Sequence, residues 1–340
     1  MRLSTAQIKA ITQGTESIVE TENGIEFRRF TALEAEAFHT TEARFAKTFA
    51  TAGVRMEFET DANTLWLKVG VAIASSRSYF AIDVLVNEKR TDSLRNSPED
   101  ELLGSDYAKK PCFWEGMAFE KCFSLGTGKK KVSVHFPWSF SVILEEMTLE
   151  GATYVKPLPR PKKVLMLGDS ITHGYDALCP SRSYASRLSS RLNAEEFNKA
   201  IGGERFYPTL AERLVKRDYD LITVAYGTND WHCESMDEAR DLCEGFFRTL
   251  CEKFSETPIF VISPIWRLGC EEHMTAVGAF TDMEKMIFEV ADKNKNTIPI
   301  QGLDLVPHDP RLYGDLYLHP NDLGFAEYAE NLYRKMQAFL

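Results

Sequence analysis

Three prolines within five residues, in Lys156-Pro157-Leu158-Pro159-Arg160-Pro161, constrain this chain more than any other local feature. Each proline fixes φ and removes a backbone donor, so the run reads as a stiff extended connection that can join neither a helix nor a central strand. The hydrophobic period changes across it. Before it, short runs rich in β-branched and aromatic residues recur between turn signals: Arg55 to Glu59, Leu65 to Val69, Tyr79 to Val86, Val132 to Phe136 and Val142 to Leu144. That spacing predicts a β-sandwich or jelly roll. After it, apolar runs at Val164 to Leu167, Leu221 to Ala225, Ile259 to Ile262 and Ile298 to Ile300 alternate with amphipathic stretches such as Ser183 to Leu192 and Asp237 to Phe254. Such alternation predicts an α/β domain with a parallel sheet covered by helices. Leu323, Ala326, Tyr328, Ala329, Leu332 and Met336 add a closing helix between Asn321 and Phe339. The expected organisation is a jelly-roll-like sandwich over residues 1–155, a proline-rich linker over 156–162 and an α/β domain over 163–340.

Composition narrows the function classes. With 340 residues, 44% of them hydrophobic, the chain can bury a sizeable core. Forty Lys and Arg against fifty Asp and Glu leave a formal charge of -10, and no basic stripe is interleaved with aromatics, which argues against nucleic acid as a partner. No apolar run has membrane-spanning length, and Met1 to Gln7 has no signal-like apolar region, so the expectation is a cytoplasmic protein with no membrane partner. The seven cysteines are scattered, with no Cys-x-x-Cys pair, which fits reduced thiols.

In open α/β sheets ligands bind beyond the carboxyl ends of the strands. Val164 to Leu167 runs into Gly168-Asp169-Ser170-Ile171-Thr172, where the glycine permits a tight exit and the Ser170 hydroxyl can emerge at the strand tip. Leu221 to Ala225 leads to Tyr226-Gly227-Thr228-Asn229-Asp230, placing the Asn229 amide at a second tip, able to donate to a developing oxyanion. Between them, Asn198-Lys199-Ala200-Ile201-Gly202-Gly203 closes on paired glycines whose N–H groups can turn toward an acyl oxygen. Near the C-terminus, Asp315-Leu316-Tyr317-Leu318-His319-Pro320-Asn321 sets a histidine just before a capped helix. Alone, Ser170 would read as a helix cap, Asn229 and the glycines as turn residues, and His319 as a surface side chain.

In this order the four stretches resemble the blocks of the SGNH hydrolases, also called GDSL esterases and lipases, over about Lys163 to Phe339. The resemblance implies a three-layer flavodoxin-like fold in which Ser170 attacks an ester carbonyl and His319 takes its proton. It implies an oxyanion hole built from the backbone N–H groups of Ser170 and Gly203 and the side-chain amide of Asn229. The family's aspartate usually stands three residues before the histidine, where this chain has Leu316. Asp315 could reach His319 Nδ1 through a local bulge, or a backbone carbonyl could orient the ring. A sandwich ahead of such a domain is similar to the layout of the family-two carbohydrate esterases, which suggests removal of O-acetyl groups from a small saccharide. The alternatives are acyl transfer to a sugar, or a non-catalytic carbohydrate-binding protein with a relic hydrolase domain.

This mechanism requires no cofactor. Loop groupings such as Asp230/His232/Cys233/Glu234, Cys270/Glu272/His273 and His308/Asp309/Asp315 lack a zinc-site spacing and read as solvated charges, so no metal is expected. Gly126-Thr127-Gly128-Lys129-Lys130-Lys131 fails the phosphate-loop pattern and reads as a hairpin turn. Trp66, Trp114, Phe136, Trp138 and Phe140 read as core. By position alone, His173 and Tyr175, close after Ser170, are placed at the site entrance, with packing of the first helical turn as the alternative, and Trp231 and Trp266, which follow strand ends, against the acyl or alcohol part of a substrate.

Overall fold

Strict alternation along Thr64–Ile73 buries Leu65, Leu67, Val69 and Val71 on one face, the pattern of a strand with one side against a core. The computed structural model describes residues 1–97 and 118–340. Among these, two antiparallel sheets face each other across a shared apolar core. One runs β1 (Thr12–Gln13), β4 (Arg55–Thr60), β9 (Lys130–His135), β6 (Ala81–Val86) and β7 (Lys89–Arg95), with β11 (Val155–Pro157) beside β4. The other runs β2 (Ser17–Thr21), β3 (Gly24–Arg28), β10 (Phe140–Glu150), β5 (Thr64–Ile73) and β8 (Ala118–Ser124). Met56, Phe58, Val84 and Val134 of the first meet Leu65, Leu67, Val142 and Leu149 of the second. Helix α1 (Thr5–Ile11) tucks Ile8 and Ile11 into the same core.

Beyond the sandwich a five-stranded parallel sheet has the order β13 (Ala194–Asn198), β12 (Lys162–Gly168), β14 (Leu221–Ala225), β15 (Ile259–Ile262) and β18 (Thr297–Ile300). In sequence order this is 2-1-3-4-5, the flavodoxin-like winding. A short hairpin, β16 (Met274–Thr275) and β17 (Gly278–Ala279), leads into the helix that starts at Phe280. Helix α5 (Tyr184–Arg191) packs on α9 (Asp322–Met336), while α7 (Met236–Lys253) packs on α6 (Pro208–Arg213) and α8 (Phe280–Ala291), which gives the helical layers their two groups. On α7 the buried Ala239, Cys243, Phe246, Phe247 and Leu250 form one stripe.

Two sequence expectations need correction, and one contact was not anticipated. The run 156–162 is not a free linker throughout: Val155–Pro157 pairs with β4 as an edge strand, where the missing proline N–H is harmless, and Lys162 already belongs to β12. Gly126 to Lys131 is not a hairpin turn. It carries the chain from β8 in one sheet to β9 in the other, and the Lys130 ammonium is spent on the carbonyls of Ala62 and Gly126. The first 155 residues do not pack only on themselves. Phe30, Phe38, Ala52, Tyr79 and Trp138 join the core of the parallel-sheet domain, and the segment after β3 forms α2 (Ala32–Glu36) and α3 (Glu42–Lys47) against it. Phe136 and Phe140 are core residues as expected and Trp66 is half-buried; Trp114 and Cys112 lie outside the described residues.

Arg29, at the end of β3, holds this junction. Its guanidinium is buried and donates to Ala50 O at 2.8 Å, Asn198 O at 2.9 Å, Ala200 O at 2.8 Å and Lys47 O at 2.9 Å. Arg29→Met should strand these carbonyls without a donor and cost about 3–5 kcal/mol, read as a lower urea midpoint. Arg29→Lys should recover only a small part, because one ammonium cannot span carbonyls that a planar fork reaches together.

Candidate active site

The winding reverses between β12 and β14, and the chemistry-bearing residues follow the strands that flank this point. Gly168 ends β12 where a Cβ would lie 2.2 Å from Thr172 Oγ1 and 2.8 Å from Ala225 O, so only glycine fits. Asp169 then caps the single-turn helix α4 (Ser170–His173), its Oδ1 accepting from Ile171 N at 2.9 Å. Ser170 therefore sits at the first turn of a helix opening from the strand tip.

Ser170 Oγ lies 2.8 Å from His319 Nε2, and His319 Nδ1 lies 2.7 Å from Asp315 Oδ2. The other Asp315 oxygen accepts the backbone N–H groups of Tyr317 at 2.9 Å, Leu318 at 2.7 Å and His319 at 3.1 Å. Burial opposes the charge on Asp315, but the His319 hydrogen bond and charge, together with these backbone donors, hold its carboxyl well below the usual carboxylate range. The extra residue between acid and histidine is absorbed at Leu316, which adopts the left-handed conformation at φ +58° with its side chain exposed. The Tyr313–Pro320 bridge and the bond from Gly314 N to His319 O, 2.8 Å, close the loop beneath it.

Gly203 turns at φ +83° in the Ile201–Glu204 turn, in a position where a Cβ would meet only open space. Asn229 Nδ2 donates to Glu204 O at 2.9 Å, tying the amide to that turn while its second N–H stays available. Lys47 of α3 reaches the same turn at Gly202 O, 2.6 Å. Below, Asp230 accepts from Phe206 N and Gly227 N, both at 3.0 Å, and burial followed by the charge of Asp169 raises it to about 7.

The structure buries His173 and Tyr175, expected at the entrance, and also Trp231 and Trp266, expected against the substrate. His173 is buried, its Nδ1 accepting from Gly202 N and its Nε2 lying 2.9 Å from Trp138 O; desolvation, with the charges of Arg29 and Lys47, holds it well below the usual imidazole range. Tyr175 is also buried, and its ring stacks on His319 at 5.5 Å. Trp231 and Trp266 are buried, the first donating to Gly278 O and the second stacked on His308. Two buried residues absent from the sequence reading also lie at the site. The Arg267 guanidinium lies over Trp231 and Tyr317 and bonds the Tyr317 hydroxyl, and Asp176 approaches His319 from behind. No local pattern marks either one.

Among the described residues the loop groupings weighed as metal ligands do not assemble. The set whose ligand atoms lie within 4.8 Å of one another is Asp176, Asp315 and His319. There His319 Nδ1 is bonded to Asp315 and Asp176 is paired with Arg77, so these atoms are already committed.

Known proteins share the sequence pattern of this domain and the fold of the chain. Residues 166–326 match the sequence model of the GDSL-like Lipase/Acylhydrolase family. The C-terminal domain belongs to that family. This GDSL domain makes the protein an ester hydrolase. No curated protein matches the sequence. Over nearly the whole chain the fold is similar to that of solved proteins. The salicylyl-acyltransferase SsfX3 from a tetracycline biosynthetic pathway is 20% identical, with TM-score 0.77, over 96% of this chain and 94% of that one. A Bacteroides ovatus protein described as a GDSL-like lipase is 20% identical, with TM-score 0.74, over 98% and 96%. A family-two carbohydrate esterase from Clostridium thermocellum, solved with cellohexaose, is 14% identical, with TM-score 0.63, over 96% and 98%. At these identities the likeness speaks for the shared sandwich and α/β fold.

Asp169 supplies a test of the electrostatics beneath Ser170. Burial raises its carboxyl from 3.8 to about 6, with the Ile171 N–H and the charges of His319 and Arg267 opposing. A raised folded-state pKa means stability is fullest below pH 4 and is lost as pH rises through about 6, a displacement corresponding to about 3 kcal/mol. Asp169→Asn keeps the cap and removes the buried charge. Its Tm relative to the parent protein should therefore rise between pH 4 and pH 8, measured by thermal unfolding across that range.

Proposed function

We propose that the protein is a serine esterase that removes short acyl groups, acetyl foremost, from a saccharide or small glycoside. The observation that carries the reading is the unbroken hydrogen-bond chain from Ser170 Oγ through both His319 nitrogens to Asp315. A free serine hydroxyl is a poor nucleophile, and an imidazole within hydrogen-bond reach supplies the base it needs. Ser170 Oγ attacks the ester carbon while its proton passes to His319 Nε2, and Asp315 stabilises the imidazolium at Nδ1. The N–H groups of Ser170 and Gly203 and the Asn229 amide receive the negative charge on the former carbonyl oxygen. His319 then protonates the departing alkoxide, and water, deprotonated by His319, releases the acid and restores Ser170.

Restricted access, with Ser170 4% exposed, suits a short acyl group. The fold shared with a carbohydrate esterase supports a saccharide as the alcohol, and the strand order, in which the chain crosses between sheets at most connections, supports a jelly-roll reading of the sandwich. The six described cysteines are free thiols, which supports a reducing compartment such as the cytoplasm. A second reading, acyl transfer to an acceptor hydroxyl, draws support from the likeness to SsfX3. Release of free acid rather than acylated acceptor separates the two.

The test is turnover of short-chain nitrophenyl esters and acetylated sugars by the purified protein. Ser170→Ala should abolish hydrolysis with an unchanged melting temperature; full activity in that variant rules out the serine mechanism. Asn229→Ala should lower kcat by roughly 10²–10³-fold with little change in KM. Asp315→Asn should lower kcat by about 10³-fold, because an amide presents the wrong partner to Nδ1.

A further inference from the structure

The inference rests on the serine reading above and concerns a residue it does not use. Asp176 follows α4, is fully buried and adopts φ +68°, a left-handed conformation that a non-glycine residue holds only where its surroundings impose it. Its Oδ2 lies 3.6 Å from His319 Nδ1, on the imidazole nitrogen that also faces Asp315. Two carboxylates this close to one ring would ordinarily compete for a proton. Here Arg77, from the loop between β5 and β6 of the sandwich, takes Asp176 with two nitrogens, Nε to Oδ1 at 2.8 Å and Nη2 to Oδ2 at 3.1 Å. The Tyr79 hydroxyl donates to Oδ1 at 3.2 Å. The same guanidinium lies 5.5 Å over the ring of Tyr175, which stacks on His319.

We propose that Asp176, held in place by Arg77, is a second positioning residue for His319, and that through this pair the sandwich is part of the catalytic apparatus. Asp315 is the near acceptor of the Nδ1 proton. Asp176 adds a fixed negative charge on the same side, which favours the imidazolium formed when Ser170 loses its proton and opposes rotation of the ring away from the serine. Arg77 keeps that charge from repelling Asp315. Asp169 at the start of α4 also feels the charge of His319, and that of Arg267. Neither residue is altered by substitutions at 77 or 176.

The experiment is a double-mutant cycle on the full chain, with Ser170→Ala measured alongside, using a short-chain nitrophenyl ester. Asp176→Asn is isosteric and can still accept from Arg77 and Tyr79 through Oδ1, so the fold is retained. Its kcat should fall about tenfold with KM within about twofold, and the acidic limb of kcat/KM should move to lower pH because imidazolium has lost a stabilising charge. In the Asp315→Asn background the same substitution should cost more than tenfold, since Asp176 is then the remaining carboxylate at Nδ1. Arg77→Lys, which keeps a cation beside Asp176, should retain more activity than Arg77→Met. A purely structural Asp176 would lower the melting temperature yet give the same factor in both backgrounds and an unmoved acidic limb, and that result overturns the proposal. Activity persisting in Ser170→Ala overturns the serine mechanism and this assignment together. With Ser170→Ala inactive, unaltered kcat and pH limb in Asp176→Asn overturn this assignment alone.

Discussion

Buried or largely buried guanidinium groups from the N-terminal half fasten the sandwich to the α/β domain, and the geometry of the site hangs on them. Arg29 gathers carbonyls from both sides of the junction, including Asn198 and Ala200 just before the Gly202–Gly203 turn. Arg55 reaches Ser189 Oγ at 3.2 Å and Ala194 O at 2.8 Å, fixing the passage from α5 into β13. Arg77 reaches Asp176 behind the histidine. A planar fork with several fixed donors suits this task, because loops that leave a sheet present carbonyls that no neighbouring strand satisfies. Such contacts specify one docking of the two halves, since an apolar seam could slide while a shifted guanidinium would leave several buried oxygens bare.

Much of the α/β domain was legible because parallel strands buried on both faces read as apolar runs and their helices as amphipathic ones. Four of the five strands were placed this way. The fifth, Ala194–Asn198, escaped as a strand because Glu195, Glu196 and Asn198 break its apolar run; Glu196 and Asn198 are buried and find polar partners such as Ser189 and the Thr172 carbonyl. In the sandwich, β2 and β7 are largely exposed and carry Glu, Lys and Arg, so no alternation betrayed them. The excursion of α2 and α3 onto the other domain was invisible, since an amphipathic segment does not declare which core it will join.

The site divides along a similar line. Ser170, Gly203, Asn229 and His319 are found at strand ends or before a helix, places that local pattern identifies. Asp315 lay within reach of the same reading because it is sequence-near to His319, although spacing alone left a carbonyl as its rival. Asp176, Arg77 and Arg267 were not legible. Their proximity to the histidine or to the strand tips is created by tertiary contact, and an arginine in a sandwich loop resembles any solvated charge until the domains close.

The left-handed turn at Leu316 bears on how such proteins are recognised at all. A leucine in that conformation costs on the order of 1–2 kcal/mol, and in return one surplus residue is folded out of the path between acid and base without moving either end. A template that counts a fixed number of positions back from the histidine lands on an exposed leucine and scores the acid as missing. A template that asks which carboxylate closes the loop under the ring finds it. The corner in this chain thus takes in one more residue than a three-residue spacing allows, and the Asp315 carboxylate still meets His319 Nδ1 at 2.7 Å.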